Sequence, residues 1–275
     1  MSARVTNHVP MTAAGVRFYR GAIDVLECAG VSFLVGGAFA LRHYTGIFRH
    51  TKDFDVFILP DDCPRALAAF AGAGFRTELT FPHWLGKAFA PGGYFIDLIF
   101  SSGNGLAQVD AGWFKHAVAA DVLGKPVRFC PVEEMIWSKG FIMERERFDG
   151  ADVAHLLLAE ADRLDWPRLL GRFGPHYRVL LVHLILYGYI YPAERHRIPS
   201  DVLDSLLDRL ADESAHSPPA DPICRGTILS RTQYLVDIQE GGMRDARLLP
   251  DGEMSPRAVA IWTAAIEPND RPHTG

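Results

Sequence analysis

Residues 33–59 read FLVGGAFALRHYTGIFRHTKDFDVFIL, and this stretch decides the architecture. Phe33–Val35 is an apolar strand that runs into Gly36-Gly37, where the missing Cβ atoms allow a sharp turn and close approach of the backbone to a ligand. Ala38–Tyr44 can then start a helix, whose N-terminal N–H groups favour an anion such as phosphate. A basic turn, Arg49-His50-Thr51-Lys52, leads into Asp53-Phe54-Asp55-Val56-Phe57. Side chains alternate along a strand, so Asp53 and Asp55 share one face and Phe54 and Val56 the other. Two like charges side by side are costly unless a cation sits between them, and Mg²⁺ suits one or two carboxylates combined with phosphate oxygens.

Working outward, Val16–Ala29 has near-helical apolar spacing with Gly30 as its stop, and Val31–Val35 follows as a strand. Phe54–Leu59 is a second strand closed by Pro60, and Asp61 or Asp62 is placed to cap a helix ending at Gly72 and Gly74. Phe75–Leu79, Ala88–Ala90 and Tyr94–Phe100 read as short strands, the last two joined by Pro91-Gly92-Gly93. Asp97 lies inside the apolar run Phe95–Ile99, where an unpaired buried charge would be expensive. A solvated strand edge is one account of it. The apolar setting favours the other, a third carboxylate facing Asp53 and Asp55 from a neighbouring strand.

Asp110–Ala120 is predicted helical, Val127–Cys130 is a further strand, and Pro131 opens a long helix reaching about Glu146. Helical patterns continue over Asp149–Ala161, Trp166–Phe173, His176–Tyr191 and Asp201–Leu210. Beyond Ala211 the chain is rich in Ser, Pro, Asp and Gly, although Ile228–Ile238 keeps the pattern of an ordered element. Strands mixed with helices up to about residue 130, followed by helices, predict an α+β protein with a mixed β-sheet in an N-terminal domain and a helical C-terminal domain. The expected divisions are 13–130, 131–212 and a partly irregular extension over 213–275.

Composition narrows the function. A hydrophobic share of 48% with 22% charged residues is that of an ordinary globular chain, and a net charge of −5 argues against nonspecific nucleic-acid binding over the whole surface. A local basic groove from Arg42, Arg49 and Lys52 stays compatible with it. Four dispersed cysteines with no C-x-x-C pair, and no signal-peptide pattern, point to reduced thiols and a cytoplasmic location. The apolar run Val179–Tyr191 is too short to span a bilayer and reads as a buried helix, so no membrane is expected. The phosphate-loop pattern G-x-x-x-x-G-K-[ST], H-E-x-x-H and the G-x-S-x-G elbow are all missing, as are protein-kinase landmarks.

Gly36-Gly37, then Arg49-His50-Thr51-Lys52-Asp53-Phe54-Asp55, then Asp97, form an order that resembles the nucleotidyltransferase superfamily of DNA polymerase β and the kanamycin nucleotidyltransferases. The nearest resemblance is to its abortive-infection, AbiE toxin-like branch, in which an arginine and a small hydroxyl residue precede D-x-D. A second match is Pro131–Lys139 followed by Glu144–Val153, similar to that branch's proline-acid start, lysine, basic stretch and D-x-x-D. The matches span roughly residues 31–158. Gly37 departs from the Gly-Ser form of the turn and lacks a hydroxyl that would touch a phosphate.

The resemblance implies a nucleotidyltransferase-like fold and transfer of NMP from an NTP to an acceptor hydroxyl on RNA (a tRNA end, for instance), a protein or a small molecule. Asp53, Asp55 and Asp97 would then be the catalytic, metal-holding carboxylates for Mg²⁺ or Mn²⁺. Gly36, Gly37, Arg49, Thr51 and Lys139 would bind the nucleotide, with Lys139 on the triphosphate. Asp149 and Asp152 would be accessory acids, though both equally suit an N-cap and first helical turn. Arg145 and Arg147 read first as a solvated helix face and second as acceptor-binding groups, His155 and His183 as packed helix residues, and the cysteines as small buried residues. A toxin role would add an antitoxin partner. The alternative is a nucleotide-binding or interaction protein of the same fold with weak or lost turnover.

Overall fold

The computed structural model describes residues 12–48 and 51–265. Helix α1 (Ala13–Cys28) leads to strand β1 (Phe33–Val35), helix α2 (Gly37–Thr45) and strand β2 (Asp53–Ile58). Helix α3 (Cys63–Gly72) and the strands β3 (Arg76–Phe81), β4 (Leu85–Phe89) and β5 (Phe95–Ile99) follow. A short α4 (Ala111–Lys115) precedes β6 (Val118–Val122) and β7 (Lys125–Phe129). These strands make one seven-stranded sheet in the order β3-β4-β5-β2-β1-β7-β6. Pairing is mixed: β2–β5 and β1–β7 are parallel and the other neighbours antiparallel. The expected α+β class with a mixed sheet is therefore what the chain adopts.

After the sheet come α5 (Val132–Gly140), α6 (Gly150–Glu160), α7 (Trp166–Phe173), α8 (Tyr177–Ile190) and α9 (Ser200–Ala215). The described residues 216–265 hold more structure than their composition announces. The pair β8 (Ile223–Cys224) and β9 (Arg244–Asp245) brackets α10 (Gly226–Leu229) and α11 (Leu235–Gln239), and α12 (Pro256–Ala264) closes the described chain. One hydrophobic cluster runs from Tyr19 and Phe54 beneath the sheet to Leu184 and Leu206 in the helices, and α6 packs on α2.

Two helix predictions are corrected. Asp110–Ala120 is helical only over α4, because the chain needs residues 118–122 as an edge strand. Leu123 and Gly124 both take positive φ, +54° and +75°, forming a two-residue hairpin turn whose twist matches the strands it joins. Leucine seldom adopts that backbone, which hid the turn. The helix expected to reach Glu146 stops at Gly140. Beyond it Met143 pairs with Phe148, and Glu144 N–H donates to Arg147 C=O (2.8 Å), so residues 144–147 form a tight turn. Arg145 and Arg147 thus project from that turn rather than from a helix.

Three smaller expectations also change. Asp62 does not cap α3; its carboxylate takes Arg65 instead, at 2.5 Å. Cys28 is exposed, unlike the other three cysteines. Helix α8 is buried on one side only: Leu180, His183, Leu184 and Tyr187 face the core as expected, but Ile185 and Tyr189 are 57% and 84% exposed.

A buried ionic cluster anchors α5. Glu134, fully buried, accepts from Arg168 Nη1 at 2.6 Å and from Arg172 Nε at 3.1 Å, while Glu133 is paired with Arg168 and accepts Asp165 N–H at 2.8 Å. Arg172 continues to Asp110, the residue that caps α4. These bonds lock the helix carrying Lys139 to α7 and to the edge of the sheet.

Candidate functional site

The acids converge through strand register. Asp53 and Asp55 lie on one face of β2 while Phe54 and Val56 are fully buried on the other, stacked over Tyr19 from α1 at a Phe54–Tyr19 ring distance of 5.1 Å. Parallel pairing of β2 with β5 puts Asp97 directly beside Asp55, and Phe57 beside Ile99. One carboxylate oxygen from each of Asp53, Asp55 and Asp97 lies within 4.8 Å of the others. Two apolar-lined strands thus deliver three acids to one spot.

Their electrostatics are those of an undercompensated negative cluster. Burial, reinforced by Asp53 and Asp97, pushes the Asp55 carboxyl up to about 7, against smaller relief from Lys139 and Arg147. Asp97 is also raised by burial, opposed by Lys87, whose Nζ donates to its Oδ1 at 2.7 Å across the β4–β5 ladder. All the converging donor atoms are oxygens, as a hard divalent cation requires, and neutralising this charge would return Asp55 to its ordinary ionised form. The three aspartates therefore fit Mg²⁺ or Mn²⁺.

The glycine turn has a different explanation from a lost hydroxyl. Gly37 has φ +51°, and a Cβ built on it would fall 1.7 Å from Asp55 Oδ2. A Cβ on Gly36 would fall 2.3 Å from the Phe57 ring, and Gly36 N–H donates to Asp55 C=O at 2.9 Å. Both glycines exist so that α2 can start against β2. Serine at residue 37 would clash with the carboxylate itself.

The triad opens onto a cavity of about 520 Å³ between the sheet, the residue 141–149 loop and the C-terminal segment. Gly37, Lys139 and Asp149 line it together with the three acids, whereas Gly36, Thr51 and Asp152 are not on its wall. Thr51 instead accepts Asp53 N–H at 3.3 Å, which fixes the entry into β2. Arg49 lies outside the described residues. Arg42 and Lys52 are exposed and off the cavity, so they add no basic groove to it.

Lys139 lines the cavity and is held there by two carboxylates. Its ammonium sits 2.9 Å from Asp149 and 2.8 Å from Asp152, both largely buried. Asp149 occupies the N-cap position of α6 but makes no cap bond, spending its oxygens on Lys139 and on Nε and Nη2 of Arg147, each at 3.1 Å. Burial pushes Asp149 upward and those two cations more than reverse it, leaving it below the usual carboxylate range. Arg147, with a side chain 66% exposed, lines the cavity and carries its charge toward Asp55. Lys87, Arg147, Glu144, Arg231, Trp84 and Trp262 were not singled out as site residues from the sequence, and only the basic stretch around Arg147 offered any signal.

No family model matches this chain, and no curated protein matches it. Among solved structures it is similar to the antibiotic-resistance factor ANT(2'')-Ia in solution, at 17% identity and TM-score 0.40, over 75% of this chain and 98% of that one. It is also similar to the lincosamide antibiotic adenylyltransferase LnuA with lincomycin bound, at 12% identity and TM-score 0.40, over 55% of this chain and 99% of that one. A third is an antigenic nucleotidyltransferase-like protein from Paracoccidioides brasiliensis, at 14% identity and TM-score 0.36, over 74% and 91% of the two chains. At these values the likeness assigns no residue a role, and the chemistry rests on the carboxylates. No helix among the described residues is long and apolar enough to cross a membrane.

Proposed function

We propose that the protein is a metal-dependent nucleotidyltransferase that moves NMP from an NTP to an acceptor hydroxyl. The observation that carries this reading is the convergence of Asp53, Asp55 and Asp97 at the wall of a 520 Å³ cavity, with the start of α2 packed against them. Asp53, Asp55 and Asp97 would hold one or two Mg²⁺ or Mn²⁺ ions. When bound, such ions supply charge neutralisation for the phosphates and favour ionisation of the attacking hydroxyl.

The acceptor oxygen forms a bond to the α-phosphorus, the bond from that phosphorus to the bridging oxygen breaks, and pyrophosphate leaves with the electron pair. The hydroxyl proton would pass to a carboxylate of the triad, with Asp97 as the candidate base. Gly37 lets the backbone at the start of α2 approach the phosphates. Lys139 and Arg147 would be the cations that meet them, the Arg147 guanidinium oriented by Asp149 and the Lys139 ammonium held between Asp149 and Asp152.

Labelled NTP with Mg²⁺ and cell extract tests the reaction. Transfer by the wild type that is lost in Asp53→Ala/Asp55→Ala supports it, and equal labelling by both proteins removes it. A toxin acting in the cytoplasm beside an antitoxin is the finer form of the reading. Growth arrest on expression, lifted by the same double substitution, checks that form.

A further inference from the structure

The end of the cavity away from the triad is built by the C-terminal segment. From the triad its floor follows β5: Ile99 stands on the same face as Asp97, about 7 Å further along, beside Phe57. The loop over residues 101–104 continues the floor. Across it runs a strap, residues 227–232, tied to both rims. On the sheet side, Asn104 Nδ2 donates to Ile228 C=O at 2.9 Å. On the helix side, Met143 N–H donates to Leu229 C=O at 3.1 Å, Ser230 Oγ donates to Glu144 Oε2 at 2.6 Å and Arg231 N–H to Glu144 Oε1 at 2.8 Å.

The far end is closed by Trp262 from α12. It packs on Gly103 so closely that a Cβ there would lie 2.6 Å from the ring, and it stands edge-on to Phe81 and Trp84 at 4.7 and 5.5 Å. Arg231 lies over its ring at 4.6 Å. On the rim, both oxygens of Glu144 are engaged by the strap, and Glu146 pairs with Arg145 at 3.2 Å. Arg145 and Arg231 line this end, and Trp84 and Trp262 wall it.

We infer that residues 227–232 and Trp262 form a subsite for a small, ring-bearing hydroxyl compound, neutral or anionic, which is the acceptor in the transfer proposed above. A strap hydrogen-bonded to both rims leaves a chamber of small-ligand size rather than an open groove for a folded RNA or protein. Aromatic walls suit the apolar body of a ring, and Arg145 and Arg231 at this end disfavour a polycation there. The inference rests on the transferase reading and can fail without it.

The test splits a cell extract by ultrafiltration through a membrane that passes small ligands and retains RNA and protein. Each fraction is incubated with full-length protein, Mg²⁺ and a mixture of α-labelled NTPs. Asp55-dependent label in a product of the filtrate is the expected result. Asp55-dependent label in RNA or protein of the retentate overturns the inference while leaving the transferase reading intact. Asp55-independent labelling, or none in either fraction, removes both. Trp262→Ala should lower labelling at limiting filtrate about tenfold while calorimetric affinity for NTP and Mg²⁺ stays unchanged, and Trp262→Phe should restore most of it. Unchanged labelling in Trp262→Ala overturns the assignment of the subsite.

Discussion

Gly37 and Asp55 occupy each other's space: the position of a Cβ on residue 37 is 1.7 Å from Asp55 Oδ2. A glycine on one element therefore determines where a carboxylate on another can stand. Gly37→Ala should cost the αL strain of about 1 kcal/mol and also displace Asp55, weakening Mg²⁺ binding at least tenfold by calorimetry. Gly46 is the control, since it has φ +72° with open space around its Cβ position. Gly46→Ala should lose stability to a similar degree and keep its metal affinity. Equal metal binding by both variants would break the link between the glycine and the carboxylate.

The raised pKa of Asp55 has a signed consequence for stability. Between the ordinary carboxylate value of 3.8 and about 7, the folded protein holds a proton that the unfolded chain has released. Stability of the metal-free protein therefore falls as pH rises through that window. Asp55→Asn removes the penalty, so at pH 8 the metal-free variant should melt above wild type, by about 2–4 °C for each kcal/mol gained. The advantage should vanish as pH falls below about 4. Added Mg²⁺ should raise the melting temperature of wild type much more than that of the variant. Thermal scans from pH 4 to 8 check both, and a variant that melts below wild type at pH 8 contradicts the account.

Lys139 and Arg147 are expected to separate stability from ligand binding. Lys139→Met leaves Asp149 and Asp152 without their shared ammonium, in a largely buried setting. Loss of one partner from such a buried cluster costs roughly 3–5 kcal/mol, measurable by urea unfolding. Arg147→Gln removes a mostly exposed side chain and should change stability by less than about 1 kcal/mol. Its NTP affinity should fall about tenfold, the worth of a lost charge-assisted contact to phosphate. Wild-type NTP affinity in Arg147→Gln would return the phosphate contact to another group.

Glu134 belongs to the scaffold rather than to the cavity. Glu134→Ala removes the buried carboxylate shared by Arg168 and Arg172, which keep Glu133 and Asp110, and should cost about 1–3 kcal/mol, while the fraction that remains folded keeps wild-type affinity for Mg²⁺ and NTP. Urea titration and calorimetry on the same preparation read the two effects. A large loss of metal affinity at unchanged stability would place Glu134 in the site.

Local chemistry in the sequence was enough for the acid-bearing strands, the glycine turn and the α+β class. Period-two alternation put Asp53 and Asp55 on one face, and the cost of burying Asp97 inside Phe95–Ile99 required a partner nearby. Three other relationships were decided only by the tertiary structure, because each joins groups remote in sequence. Parallel β2–β5 register set Asp97 beside Asp55, and the same sheet placed Lys87 across from it. The turn at residues 144–147 forms where Met143 is claimed by Leu229, so helical propensity near Arg147 gives way to a contact from 86 residues downstream. Trp262 faces the cavity because α12 docks against Phe81, Trp84 and Gly103, a packing with no local periodicity to announce it. The sequence alone determined which three carboxylates share a face and which glycines begin the neighbouring helix. The long-range packing of the C-terminal segment decided which cations line the cavity beside those carboxylates and which aromatic side chains wall it, because those contacts join groups remote in sequence.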